Sequence, residues 1–141
     1  YSFVLPDVRL GGPLFTAGVP DSERRWSECT YPLVQRALWL ALGGSELTVT
    51  QAKEDIERIT SRVESLLADG RRYLLGDSFT LPDLLFCASA APLMSCPGYR
   101  GPLPPLDQVP QAPRASCLAY RARAAGHYVT RVYDTERHAP S

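Results

Sequence analysis

The sequence predicts an all-α fold, a bundle of about five helices, and three observations predict it. Apolar residues recur at helical spacing along nearly the whole chain, with no convincing β alternation. Gly and Pro punctuate the pattern at Gly11-Gly12-Pro13, Gly18-Val19-Pro20, Gly43-Gly44 and Gly70, where helices should break or stop. The segment from Phe79 to Leu84 carries a complete set of helix-start signals.

Taken in order, the first helical region spans about 1–17 and is irregular, because Pro6, Gly11, Gly12 and Pro13 fall inside it. The second begins after Asp21 or Ser22, both good caps, and runs to about Leu42. Trp26, Leu33, Ala37, Leu40 and Ala41 lie close to one face, and Pro32 should kink the helix near 28–30. The third runs from Thr48 to Asp69, with Thr48 and Gln51 at capping-box spacing. Its apolar stripe is Ile56, Ile59, Val63, Leu66 and Leu67. The fourth runs from Thr80 to about Met94 and is apolar nearly all round, the signature of a central, buried helix. A Pro-rich loop from Cys96 to Pro113 follows. The last region, Arg114 to Arg137, holds one or two helices broken near Gly126, with Tyr128, Val129, Val132 and Tyr133 facing inward.

The chain of 141 residues fits one domain, 1–141, and is long enough for a sizeable core. Fifteen acidic and fifteen basic residues cancel, so no net field favours nucleic acid or an anionic membrane surface. No apolar run reaches the ~18 residues of a membrane span, and no signal peptide is visible. The start at Tyr1 rather than Met, with Tyr-Ser-Phe-Val-Leu already core-like, reads as a fragment. Four cysteines, at 29, 87, 96 and 117, form no C-x-x-C, and the two histidines lie far down the chain, so no metal site is expected. Cys29 and Cys87 read as small buried thiols in a reducing, cytoplasmic setting.

The strongest local signal is YLLGDSFTLPDLLF, Tyr73 to Phe86. Thr80 is the N-cap and Asp83 is at N3, placed to bond back to the Thr80 amide and favoured there by the helix dipole. Phe79 at N′ and Leu84 at N4 can form a hydrophobic staple. Pro82 sits in the first turn, where a missing N–H costs little. Asp83 is accounted for by this capping role. His127 and His138 have no partner in register. Arg114, Arg121, Arg123, Arg131 and Arg137 read as a solvated face rather than an anion patch.

This combination resembles the capping box and staple of the C-terminal helical domain of cytosolic glutathione transferases, in a bacterial-type branch. Further likeness comes from Gly18-Val19-Pro20, from Pro32 in an apolar helix, and from LLADGRRYLL at Leu66 to Leu75. GPLPPL at Gly101 to Leu106 and the segments Ala125 to Tyr128 and Arg131 to Tyr133 are also similar, so the likeness covers about Thr16 to Arg137. Gly11, Gly12 and Pro13 depart from the long continuous first helix of the family.

The resemblance implies a division of labour. The thioredoxin-like N-terminal domain, absent from this chain, would bind glutathione as co-substrate and supply the Tyr, Ser or Cys that acts on its thiol. The thiolate is the nucleophile. The helical domain would supply an apolar wall for a hydrophobic electrophilic small molecule, from Tyr1, Val4 and Val8 at helical spacing, with ordinary core as the alternative. A full-length protein would be a homodimer, and this chain alone would be inactive. A non-catalytic interaction or assembly module, or an unrelated bundle, are the competing readings.

Overall fold

A computed structural model describes residues 20–41, 46–101 and 103–137. Among these residues the fold is all α, five helices with no strand. They are α1 (Asp21–Ala41), α2 (Glu46–Leu67), α3 (Leu81–Leu93), α4 (Gln111–Arg121) and α5 (Ala124–Thr135). The described residues divide into two compact units. One holds α1, the start of α2 to Glu54, and residues 103–109. The other holds the rest of α2 from Asp55, α3 to Gly101, and α4 and α5 from Pro110. The irregular region predicted at 1–17 lies outside the described residues.

In the first unit, α1 runs unbroken through Pro32 and buries Tyr31. Its apolar face is exposed: Trp26 is 73 % exposed, Leu33 72 % and Leu40 71 %. Periodicity finds an apolar face but does not say what covers it. Cys29, expected to be buried, is exposed on the same helix. The next helix begins at Glu46, two residues before the predicted cap, so Thr48 lies within the helix and not at its N-cap. Glu and Leu are good helix formers and nothing in them stops the helix short.

In the second unit the core is Val63 of α2, Leu74, the α3 residues Cys87, Ala90 and Ala91, Met94, Cys96, and Ala125, Tyr128, Val129 and Val132 of α5. Helix α5 packs on both α3 and α4. The buried side of α3 is made of small residues spaced four, three and one from Asp83, which lets α5 approach closely. The opposite side carries Leu81, Leu84 and Leu85, all exposed. The prediction of a helix buried all round is therefore corrected: its hydrophobicity is uniform, but its burial is one-sided.

Helix ends explain the connections. Helix α2 stops at Gly70, whose amide bonds to Leu67 O at 3.0 Å and whose φ of +84° is the left-handed value that glycine adopts freely. Residues 73–76 close a tight turn by paired backbone bonds of 2.8 and 3.1 Å. Helix α3 ends in a Schellman arrangement, with Cys96 N to Ala91 O at 2.9 Å and Ser95 N to Pro92 O at 3.3 Å. Ser95, not a glycine, holds its left-handed position at φ +48°.

Helix α4 starts at Gln111, so Pro113 belongs to its first turn, where the absent N–H is harmless. The break in the last region falls at 122–123 and not at Gly126, which lies inside α5. Gly126 is there for room. A Cβ on it would stand 2.4 Å from the carbonyl oxygens of both Tyr120 and Arg121. The last turn of α4 thus rests against the first turn of α5 with no space for a methyl group.

Two substitutions should act in opposite directions. Gly126→Ala forces backbone apart and should destabilise by roughly 1–3 kcal/mol. Ser95→Gly relieves a left-handed non-glycine residue and should stabilise by up to about 1 kcal/mol. Chemical denaturation of both variants against the parent checks the pair.

Candidate functional site

The segment before α3 delivers Asp83 to the centre of the second unit, and the carboxylate has no exposed surface. The capping-box geometry is in place. Asp83 Oδ2 accepts from the Thr80 amide at 2.7 Å and from the Thr80 hydroxyl at 2.6 Å. Asp83 Oδ1 accepts from the Leu74 amide at 2.7 Å and from the Tyr128 hydroxyl of α5. The side chain therefore caps its own helix, pins the preceding turn and anchors a second helix. Burial pushes its carboxyl up, but the hydrogen bonds, led by the Thr80 hydroxyl and Tyr128, outweigh burial and hold it below its ordinary value. Burial and the same bond push the Tyr128 phenol well above its ordinary range. The pair is thus a carboxylate with a neutral phenol, saturated with partners and poised to exchange no proton near neutral pH. Phe79, the other half of the predicted staple, sets its ring edge-on to Tyr73 at 5.8 Å.

Around this centre, distant side chains close helix ends. Arg123, at the N-cap of α5, forks onto Glu57 at 2.6 Å and Glu64 at 2.7 Å. Its hydrogen bonds are the largest influence holding both carboxyls low. Glu64 also accepts from the Ala125 amide at 3.4 Å, a carboxylate from α2 at the N-terminus of a helix with no acidic first turn of its own. Arg121 donates to the carbonyls of Met94 and Ser95, a cation at the C-terminal end of α3. Arg131 donates to Arg72 O and stacks on the rings of Tyr73 and Tyr128 at 5.7 and 5.2 Å. Three of the five C-terminal arginines, Arg121, Arg123 and Arg131, are thus no solvated face but hold helices in place. Sequence reasoning missed these roles because each partner lies far off in the chain. The spacing of seven between Glu57 and Glu64, which puts both on one face, was the only available signal.

One cavity of about 380 Å³ opens beside this framework. Its wall holds Phe79 just before α3, Leu84 and Ala88 of α3, Tyr99 from the following loop, and Val132 and Tyr133 from α5. Arg100, Glu136 and Arg137 stand at it, and Cys87 lines it. Burial pushes the Cys87 thiol up to about 12, so it is a neutral, apolar surface and no nucleophile. Gly98 brings the loop onto Tyr133, since a Cβ there would lie 3.0 Å from that of Tyr133.

The residues predicted to line a co-substrate pocket, Tyr1, Val4 and Val8, lie outside the described residues, as does His138. Phe79 and Leu84 share a cavity wall, whereas Thr80 and Asp83 face the core. His127 is exposed. Among the described residues, no group of three His, Cys, Asp or Glu is placed to hold a metal ion, and no helix is long and apolar enough to cross a membrane. No protein-family model matches the chain, and neither a curated protein nor a solved structure matches it.

The Asp83 cluster makes a quantitative prediction. Asp83→Ala leaves two amides and two hydroxyls without their acceptor and should cost at least about 3 kcal/mol, well beyond the ~0.5–2 of a surface N-cap. Tyr128→Phe removes one charge-assisted bond and should cost about 1.5–3 kcal/mol. The double variant should cost less than the sum, because the two share a bond. Denaturant melts of the three variants test this.

The pH dependence follows from the same groups. Asp83, Glu57 and Glu64 all have folded values below their ordinary ones of 3.8, 4.5 and 4.5. Their contribution is complete above those values and is lost as pH falls through the lower folded ones. Stability should therefore be flat from neutrality to about pH 5 and fall steeply below about pH 4. In Asp83→Asn the acid limb should be shallower, which melts across that range will show.

Proposed function

We propose that this chain is the helical C-terminal half of a glutathione-transferase-like protein. In that reading it supplies the hydrophobic wall against which an electrophilic small molecule meets the thiolate of glutathione. The observation that carries the proposal is Asp83. It lies at N3 of a helix opened by Thr-x-x-Asp with Phe at N′ and Pro in the first turn, and it is fully buried among four donors. A carboxylate held this way stabilises a scaffold, which suits a domain whose partner half performs the chemistry. The thioredoxin-like half would bind glutathione and lower its thiol pKa. Tyr1, Val4 and Val8 would face the electrophile. No metal is required by this chemistry. A homodimer and a cytoplasmic setting belong to the same proposal.

A second reading, a non-catalytic assembly module, is favoured by one observation. Trp26, Leu33 and Leu40 form an exposed apolar stripe at intervals of seven along α1. A stripe of that kind marks a surface that another protein covers.

The coding sequence upstream of Tyr1 separates the two. The transferase reading expects a thioredoxin-like βαβ pattern, with Ser, Cys or Tyr near the end of its first strand and a Pro followed by Glu/Asp-Ser. The protein spanning both halves should then conjugate glutathione to an aryl halide, while the 141-residue chain alone should leave the uncatalysed rate unchanged. A different upstream domain, or a two-domain protein without turnover, would favour the module. Turnover by the isolated chain would defeat the division of labour proposed here.

A further inference from the structure

The cavity beside α3 and α5 has walls and charges that specify a ligand class. Its volume of about 380 Å³ lies in the range of small-molecule sites. Three aromatic rings, Phe79, Tyr99 and Tyr133, share the wall with the aliphatic Leu84, Ala88 and Val132. Such a surface favours a flat apolar body. The charged groups are unequal in what they have left to offer. Glu136 is already engaged, accepting from the Tyr73 and Thr135 hydroxyls and lying 3.9 Å from Arg72. Arg137 spends one donor on Gly98 O at 2.7 Å and lies over the Tyr133 ring at 5.7 Å, leaving further N–H groups free. Arg100 is exposed and has no hydrogen-bond or ion-pair partner among the described residues. Two guanidinium groups with unspent donors therefore stand at an aromatic cavity whose one carboxylate is turned to other partners.

We propose that this cavity binds a compact aromatic carboxylate, its ring among Phe79, Tyr99 and Tyr133 and its carboxylate on Arg100 and Arg137. A guanidinium fork matches a carboxylate geometrically, and the apolar wall strengthens the pair by excluding water from one side. The neutral Cys87 thiol adds no competing charge. This site is separate from Tyr1, Val4 and Val8 and does not rest on the transferase reading, so it stands or falls by its own test.

The test is calorimetric titration of the 141-residue chain with naphthoate and, separately, with its uncharged carboxamide. Naphthoate should bind saturably at one site, with Kd between about 10 μM and 1 mM. The carboxamide should bind at least about tenfold more weakly, and Arg100→Gln should lose a similar factor for naphthoate alone. Ala88→Trp, a change at an exposed wall position, should abolish binding while leaving the melting curve intact. Absence of saturable binding, equal affinity for the two compounds, or a full response from either variant would overturn the proposal.

Discussion

Asp83 is a charge placed where water cannot reach it, and that is tolerable only while four donors hold it. Removing a carboxylate from water costs several kcal/mol, and each charge-assisted hydrogen bond returns about 1.5–3. The donors come from three places: the cap of α3, the turn at Leu74, and Tyr128 on α5. None of these can move without exposing the others to an unsatisfied charge. The segment 73–80, the start of α3 and the middle of α5 are therefore fixed relative to one another by one side chain. The small residues that follow Asp83 on its face, Cys87, Ala90 and Ala91, then let the helices close.

A second theme is that helix ends in this unit are finished by residues from elsewhere. The first turn of α5 has no acidic residue, and Glu64 of α2 supplies one. The last carbonyls of α3 meet Arg121 of α4. Each contact neutralises a helix dipole with a charge of the right sign and links two helices at once. Arg123 does the same with more geometry, one guanidinium serving two carboxylates a helical repeat apart. Every buried side-chain nitrogen or oxygen among the described residues finds a partner. That is what one expects of a polar network carried to completion rather than a core that merely avoids polarity.

What could be read from residues alone divides along a physical line. Signals that act within one turn were legible: the Thr80–Asp83 cap, the stop at Gly70, the helical period of α2 and the inner residues Tyr128, Val129 and Val132 of α5. Signals that depend on what lies opposite were not. The apolar face of α1 and the leucines of α3 are real periodic features, yet their exposure depends on neighbours that periodicity does not contain. Gly126 looked like a helix breaker, because local propensity disfavours glycine in a helix. Its reason is the oxygen atoms of Tyr120 and Arg121. Ser95 sits where a C-cap glycine is usual, which hid the Schellman turn. The cavity had no sequence signature, since its wall joins residues from the start of α3, a loop and the end of α5.

The bond between Asp83 and Tyr128 spans 45 positions of chain. During synthesis at about 5–20 residues per second, the carboxylate leaves the ribosome seconds before the phenol that completes its shell. Until then water must stand in for the phenol, and the donor shell that lets α3 enter a core is incomplete. Burial of this helix is thereby timed to the arrival of α5.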